Sequence, residues 1–268
     1  MTLLPIWGFL VCLAATTGCA SKSAGATDSP DAAGPVVVPF DTTVDAGATD
    51  AGPIRATVLG AEATTWATYA PDGAVLEVAA TFPVAAVVAA PMMAPAGPIL
   101  TIAMPPAVAA TTSIDHLEVT WKPVGHASAP YQSPHFDFHF FRPTMAQVLA
   151  IDCSNQASPP PSILPEGYIS GGALDCVTQM GIHAQPLSDF SVVFAKTMIF
   201  GSYAARITFI EPMITKETLL ARKSFSIPML KPSSLGGAHT RFPTTFEARY
   251  LTTSDAYDLV FGAFVDID

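Results

Sequence analysis

The sequence predicts a mainly β domain, an antiparallel sandwich or barrel with one or two short helices. Short runs rich in β-branched and aromatic residues recur along the chain, and Pro, Gly and Asp separate them. Several of these runs alternate apolar and polar residues, which is the period of a strand with one buried face. Half of the 268 residues are hydrophobic and only 13% are charged, so the chain can fill one sizeable core.

The strands predicted in the first half of the domain are short. Residues 64–69 and 74–82 flank Pro71-Asp72-Gly73, where Pro and Gly occupy turn positions. Residues 83–110 are rich in Ala, Val, Met and Pro; because the prolines exclude a long helix, we predict short strands or packed loops there. Residues 114–122 alternate and predict a further strand.

The second half adds two short helices and more strands. Residues 144–151 predict one or two helical turns, and residues 215–221 predict a short helix with Thr215 as its N-cap. Residues 190–200 and 204–211 predict a hairpin whose turn is Gly201-Ser202-Tyr203. The last strands are predicted at residues 225–230, 242–252 and 257–265, the final two as a hairpin.

Residues 1–18 predict a signal peptide of the lipoprotein type. Residues 3–15 are almost wholly apolar, which is typical of the hydrophobic region of a signal and shorter than the about 20 residues of a membrane span. Thr16-Thr17-Gly18-Cys19 then resembles a lipobox, which makes Cys19 the predicted lipidated mature N-terminus. An ordinary cleaved signal is the alternative. We therefore expect an exported protein, attached to the membrane by this lipid at the bacterial outer membrane, or secreted.

Residues 19–54 predict a disordered tether, and residues 55–268 a single β-rich domain. The tether consists largely of Ala, Gly, Asp, Thr, Ser and Pro and lacks the large apolar residues that a core needs. The formal net charge of the chain is −10, and no basic stripe interrupts it. Nucleic acid is therefore excluded as a partner.

Cys153 and Cys176 are the two cysteines of the predicted domain. In an exported chain, an even number of cysteines favours a disulfide over free thiols. The bridge would close a loop rich in Pro and Gly, and no CxxC motif indicates metal or redox chemistry. We predict that a Cys153–Cys176 disulfide closes this loop.

The most informative segment is residues 134–141, Pro-His-Phe-Asp-Phe-His-Phe-Phe. The period of a strand places His135, Asp137 and His139 on one face and the three phenylalanines at 136, 138 and 140 on the other. The aromatic face is predicted to join the core. The polar face predicts a site for a metal or a proton.

Together with four other blocks, this segment resembles an uncharacterised family of exported bacterial proteins, a domain of unknown function. The resemblance covers roughly residues 55–265 and implies a secreted or envelope location, a β-rich domain and no particular reaction. Phe141 and Ala184 depart from the family pattern, which has Tyr and an aromatic residue there. The other blocks are Trp121-Lys122-Pro123-Val124-Gly125-His126, Met180-Gly181-Ile182-His183, Phe200-Gly201-Ser202-Tyr203 and Phe209-Ile210-Glu211-Pro212-Met213-Ile214-Thr215.

Histidines in these blocks, with Glu211, form a plausible ligand set for zinc or another divalent transition metal. His135 and His139 would lie about 13 Å apart on a regular strand, too far to share one small ion. Asp137 is within reach of either histidine. The better prediction is a site across strands, in which His135 or His139 joins His183 and Glu211.

Three interpretations of the polar face stay open: a closed hydrogen-bond network that fixes the strand register, a bound metal, and metal-free acid–base catalysis. His126, in a turn, is predicted to fix its loop or to line the rim, and His116 to lie on a strand surface.

Familiar catalytic motifs such as G-x-S-x-G and H-E-x-x-H are missing from the sequence. The sequence therefore favours an envelope protein that binds an unidentified metal or small-molecule ligand over an enzyme. A metal-dependent hydrolase or lyase using the same residues is one alternative. A structural module that self-associates as a homo-oligomer is another.

Overall fold

The computed structural model describes residues 53–127, 129–172, 175–237 and 239–268. Within them, antiparallel strands dominate and short helices connect some of them, which confirms the predicted fold class. The strands are β1 (Ile54–Val58), β2 (Ala61–Tyr69), β3 (Val75–Pro83), β4 (Leu100–Ala103), β5 (His116–Lys122), β6 (His135–Phe141), β7 (Tyr168–Ser170), β8 (Cys176–Val177), β9 (Gly181–Pro186), β10 (Lys196–Tyr203), β11 (Arg206–Thr215), β12 (Phe225–Ser226), β13 (Thr240–Phe242), β14 (Thr245–Leu251), β15 (Ala256–Gly262) and β16 (Val265–Ile267). The helices are α1 (Val84–Ala89), α2 (Pro106–Thr111), α3 (Met145–Leu149) and α4 (Lys216–Leu220).

The strands form two large open sheets. The first has six strands in the order β1-β2-β3-β15-β14-β12. The second has eight, in the order β4-β5-β6-β11-β10-β9-β7, and β8 also pairs with β9. A small pair, β13 with β16, completes the arrangement.

The core lies between the two sheets, as in a sandwich. The ring of Phe82 on β3 packs against Phe136 and Phe138 on β6, with centroids 5.6 and 5.1 Å apart. Phe140 packs against Phe261 on β15 at 4.8 Å. Such edge-to-face contacts stabilise aromatic cores beyond their buried area. The aromatic face of β6 thus joins the core, as its alternation predicts, and the polar face of β6 points away from the first sheet.

Two helices begin where the capping residues predict. Thr144 and Gln147 form a reciprocal capping box at the start of α3. The side chain of Thr215 accepts a hydrogen bond from the backbone N–H of Thr218 at the start of α4.

The prediction for residues 83–110 was partly wrong, because this region contains the helices α1 and α2 as well as the strand β4. Pro83 and Pro105 are the N-caps of these helices, and Pro106 is in the first turn of α2. Proline is tolerated at such positions because the first backbone N–H groups of a helix have no partner within it. The prolines therefore start two short helices, and the domain has more helices than predicted.

The hairpin of β10 and β11 exists, but its predicted boundaries were wrong. Residues 187–191 form a 3-10 helix, and β10 begins only at Lys196. The turn is Ala204-Ala205, where both residues have positive φ (50° and 63°), as a type I′ turn between twisted strands requires. Gly201 lies inside β10, where a Cβ atom would be 1.9 Å from the ring of Phe209. Gly201 is therefore needed for close packing against Phe209, and it does not form the turn.

The predicted disulfide is confirmed: Cys153 and Cys176 are bonded, with their Cα atoms 5.8 Å apart. The predicted signal peptide (1–18), Cys19 and the tether up to residue 52 lie outside the described residues. Among the described helices, none has both the length and the apolar composition that crossing a bilayer would need.

Candidate metal centre

The polar face of β6 is buried although it faces away from the main core. All seven residues of this strand are buried, and His135 is 0% exposed. A second, small apolar cluster of Tyr131, Phe194, Ile199 and Met213 lies on this side of the sheet, and the ring of Phe194 is 5.2 Å from that of His135. The histidines and the aspartate of β6 are therefore shielded from solvent on both sides of the sheet.

Three strands of the second sheet bring His139 (β6), His183 (β9) and Glu211 (β11) together. One donor atom from each lies within 4.8 Å of the other two. His139 Nε2 is 3.4 Å from Glu211 Oε1, and His183 Nε2 is 3.8 Å from Glu211 Oε2. Donor atoms around a tetrahedral zinc ion are about 3.4 Å apart, given bond lengths near 2.1 Å. These residues, the His–His–Glu triad, could hold a metal ion with little movement.

Burial shapes the electrostatics of the triad. Glu211 is 1% exposed and its Oε2 atom has no hydrogen-bond partner within the described structure. Burial raises the pKa of Glu211 well above its ordinary value. It lowers the pKa of His139 to about 3 and that of His183 to about 4, so both imidazoles are neutral near pH 7. Neutral imidazole is the form that binds metal.

Aromatic packing orients the histidines of the triad. The ring of Phe209 contacts both His139 and His183, with centroids 5.1 and 5.2 Å away, and Phe141 stacks on His139 at 5.8 Å. The backbone of Glu118, the residue opposite His139 on β5, also lies within reach of the His139 ring. Metal-binding histidines are usually oriented by a hydrogen bond from the second ring nitrogen. The phenyl rings of Phe141 and Phe209 pack against the same histidine.

A second group, the His–His–Asp triad, contains His126, His135 and Asp137, whose donor atoms also lie within 4.8 Å of one another. His135 Nε2 is 3.0 Å from Asp137 Oδ1, and His126 Nε2 is 4.0 Å from Asp137 Oδ2. Thr120 donates a hydrogen bond of 2.9 Å to Oδ2, and Lys122 Nζ is 3.9 Å from the same oxygen.

A cavity of about 360 Å³ is lined by residues from both triads. His126 from one triad and His183 and Glu211 from the other line it, along with Tyr131 and the disulfide residue Cys176. This volume is within the range of small-molecule sites. The Cys153–Cys176 disulfide thus secures one wall of the cavity.

The structure divides the predicted site residues between the two triads. His139, and not His135, joins His183 and Glu211, while His135 and Asp137 meet His126. His126 lines the cavity and also contributes a donor atom to a triad. The prediction of a surface position for His116 was wrong, since this residue is 2% exposed and its ring stacks on Phe141 at 5.0 Å.

Sequence reasoning missed the parts played by Thr120 and Lys122. Both lie on β5, where Thr120 pairs with Asp137 and Lys122 with His135. The alternation of residues 116–122 predicts that Thr120 and Lys122 lie on the same face of the strand. Only the strand register could show which residues they oppose.

Compared with protein-family models, curated proteins and solved structures, the chain matches none of them.

Proposed function

We propose that this chain is an exported envelope protein whose β domain binds a divalent transition metal ion, such as zinc, through the His–His–Glu triad. The observation that carries the proposal is the buried Oε2 atom of Glu211, which has no hydrogen-bond partner among the described residues and faces two neutral imidazoles. A buried carboxylate without a partner is costly, and a cation offsets that cost. Two nitrogens and one oxygen are a preferred donor set for zinc.

The same atoms argue against a closed hydrogen-bond network as the purpose of these residues. Such a network stabilises a fold only when each buried member is satisfied. In this triad Glu211 Oε2 lacks a partner within the described structure. The contact of 3.4 Å between His139 and Glu211 is also longer than a strong charge-assisted hydrogen bond.

A metal-dependent hydrolase or lyase is the second candidate, and the cavity favours it. Three protein ligands leave a tetrahedral ion with a fourth position, and catalytic zinc sites keep that position open. Glu211 and His183 line the cavity, and the His183 side chain is 26% exposed. A bound ion would supply Lewis-acid chemistry and an activated water at the cavity wall.

The location rests on the N-terminal sequence. We propose that the domain is held at the bacterial outer membrane by a lipid on Cys19, or is secreted.

Metal analysis of the purified protein tests the proposal. After zinc loading and removal of free metal, His183→Ala and Glu211→Gln should each hold one ion fewer per chain than the wild type. His239→Ala is the matched control, because His239 is exposed and belongs to neither triad; it should keep the wild-type content. Equal zinc content in the wild type and in both triad variants would contradict the proposal.

A further inference from the structure

We infer that the His–His–Asp triad binds a second divalent transition metal ion, so that two ions lie side by side at the cavity. This inference extends the proposed metal centre but shares no ligand with it. His126, His135 and Asp137 supply the second ion, whereas the first is held by residues of β6, β9 and β11. Either site can therefore be absent while the other is present.

The hydrogen bond made by Nδ1 of His135 fixes the tautomer of this ring. Its Nδ1 atom is 2.6 Å from the carbonyl oxygen of Ser133, which can only accept, so Nδ1 carries the hydrogen and donates it. In the neutral ring the Nε2 atom then presents a lone pair. Its nearest acidic neighbour, Asp137 Oδ1, presents another lone pair at 3.0 Å.

Two such acceptors in contact need something positive between them. Both Nε2 of His135 and Oδ1 of Asp137 are buried, and neither has a hydrogen-bond partner among the residues described. A shared proton or a metal ion satisfies both lone pairs, and the zinc stoichiometry below distinguishes the two. Two donor atoms on one tetrahedral zinc ion are about 3.4 Å apart, so a small movement from 3.0 Å would admit the ion.

The other carboxylate oxygen shows how Asp137 is oriented for this task. Oδ2 accepts a hydrogen bond from Thr120 and lies 3.9 Å from the ammonium group of Lys122. These contacts fix the carboxylate plane and leave Oδ1 without a partner in the described structure. Metal-binding carboxylates are characteristically held by such outer contacts.

His126 completes the triad from a loop that is fixed in place. Its backbone N–H donates to the carbonyl of Tyr131 at 2.7 Å. The preceding Gly125 has a φ of 68°, and a Cβ atom there would be 2.3 Å from the backbone of Gln132, so only glycine fits. The ring of His126 therefore sits 5.0 Å from that of His135, at the wall of the cavity.

The two triads are neighbours along one strand. Asp137 and His139 are two residues apart on β6, so their Cα atoms are about 7 Å apart on the same face. His126 lines the same cavity as His183 and Glu211. A ligand in the cavity would meet both ions.

Zinc stoichiometry of the full chain tests the inference. The protein is loaded with zinc, separated from free metal and analysed for zinc per chain, beside His126→Ala, His183→Ala and the double variant. His126 is the position to change because its side chain is 38% exposed in a loop, whereas loss of the buried Asp137 threatens folding. We expect two ions in the wild type, one in each single variant and none in the double variant. His239→Ala should retain two.

The outcomes separate the two sites. One ion in both the wild type and His126→Ala, lost in His183→Ala, would overturn the second site and leave the proposed function standing; His135 and Asp137 would then be a proton-linked pair. One ion lost in His126→Ala but kept in His183→Ala would support the second site and refute the first. No zinc in the wild type would refute both. Circular dichroism of each variant shows that lost zinc is not lost folding.

Discussion

Replacing Glu211 with Gln separates a metal ligand from a structural residue. The substitution keeps the shape of the side chain and removes its charge. In the metal-free protein, Glu211 is 1% exposed, its Oε2 atom has no partner in the described structure, and its pKa is raised by burial. A carboxyl group whose pKa is higher in the folded state than in the unfolded state destabilises the fold when it is ionised. The neutral amide should therefore stabilise the metal-free protein.

The magnitude follows from the cost of an unpartnered buried group. That cost is about 1–3 kcal/mol, and more for a charged group. At roughly 2–4 °C per kcal/mol for a domain of this size, metal-free Glu211→Gln should melt several degrees above the wild type. The gain should shrink as the pH falls through the raised pKa of Glu211 and vanish below its ordinary value of 4.5, where the wild-type group is protonated in both states.

Zinc should reverse the order of stability. A ligand present at 100 times its Kd stabilises the folded state by about 2.7 kcal/mol. The wild type should gain that amount from the His–His–Glu triad, and Glu211→Gln should lose most of this contribution. Thermal denaturation followed by circular dichroism, in EDTA and in zinc chloride, measures both effects.

Glu118→Gln is the matched control, because Glu118 is also buried with a raised pKa and lies opposite His139 on β5, yet contributes no donor atom to either triad. It should change the stability of the metal-free protein and leave the zinc-dependent shift intact. Metal-free Glu211→Gln that melts below the wild type would show that Glu211 belongs to a stabilising hydrogen-bond network, and the reasoning would fail.

Three further predictions concern the packing, the disulfide and the pH dependence. Gly201→Ala should lower the free energy of unfolding by about 1–3 kcal/mol and weaken zinc binding, because the new methyl group would displace the ring of Phe209, which packs against the triad histidines. Chemical denaturation measures the first effect and calorimetric titration with zinc the second. Unchanged values would contradict that packing. Replacing Cys153 and Cys176 together with Ala should lower the free energy of unfolding by roughly 3 kcal/mol, and an unchanged guanidinium midpoint would argue against it. Zinc affinity should fall as the pH drops from 7 toward 5 because protons compete for Glu211, whereas the triad histidines, with pKa values of about 3 and 4, stay neutral; Glu211→Gln should bind weakly with a flatter pH profile.

Much of the fold follows from the alternation of residues along the strands. The period of two in residues 134–141 places the phenylalanines in the core and the histidines opposite them, and the structure has both faces as predicted. The capping threonines 144 and 215 begin helices because their signals are local. The prolines of residues 83–110 were misread, since a proline blocks a helix interior but starts a helix readily.

The site was less predictable because it depends on contacts between distant segments. Spacing alone separates His135 from His139, but only the pairing of β6 with β11, and of β10 with β9 and β11, places His139 beside His183 and Glu211. The place of His126 depends on a loop that folds back over the sheet. Such long-range placement leaves no periodic pattern in the sequence.

An anomalous difference map recorded at the zinc edge from zinc-loaded crystals tests the central claim most directly. We predict a peak about 2.0–2.2 Å from one donor atom of each of His139, His183 and Glu211. Zinc bound only elsewhere, for example at the exposed His239, with no peak at this triad, would contradict the account.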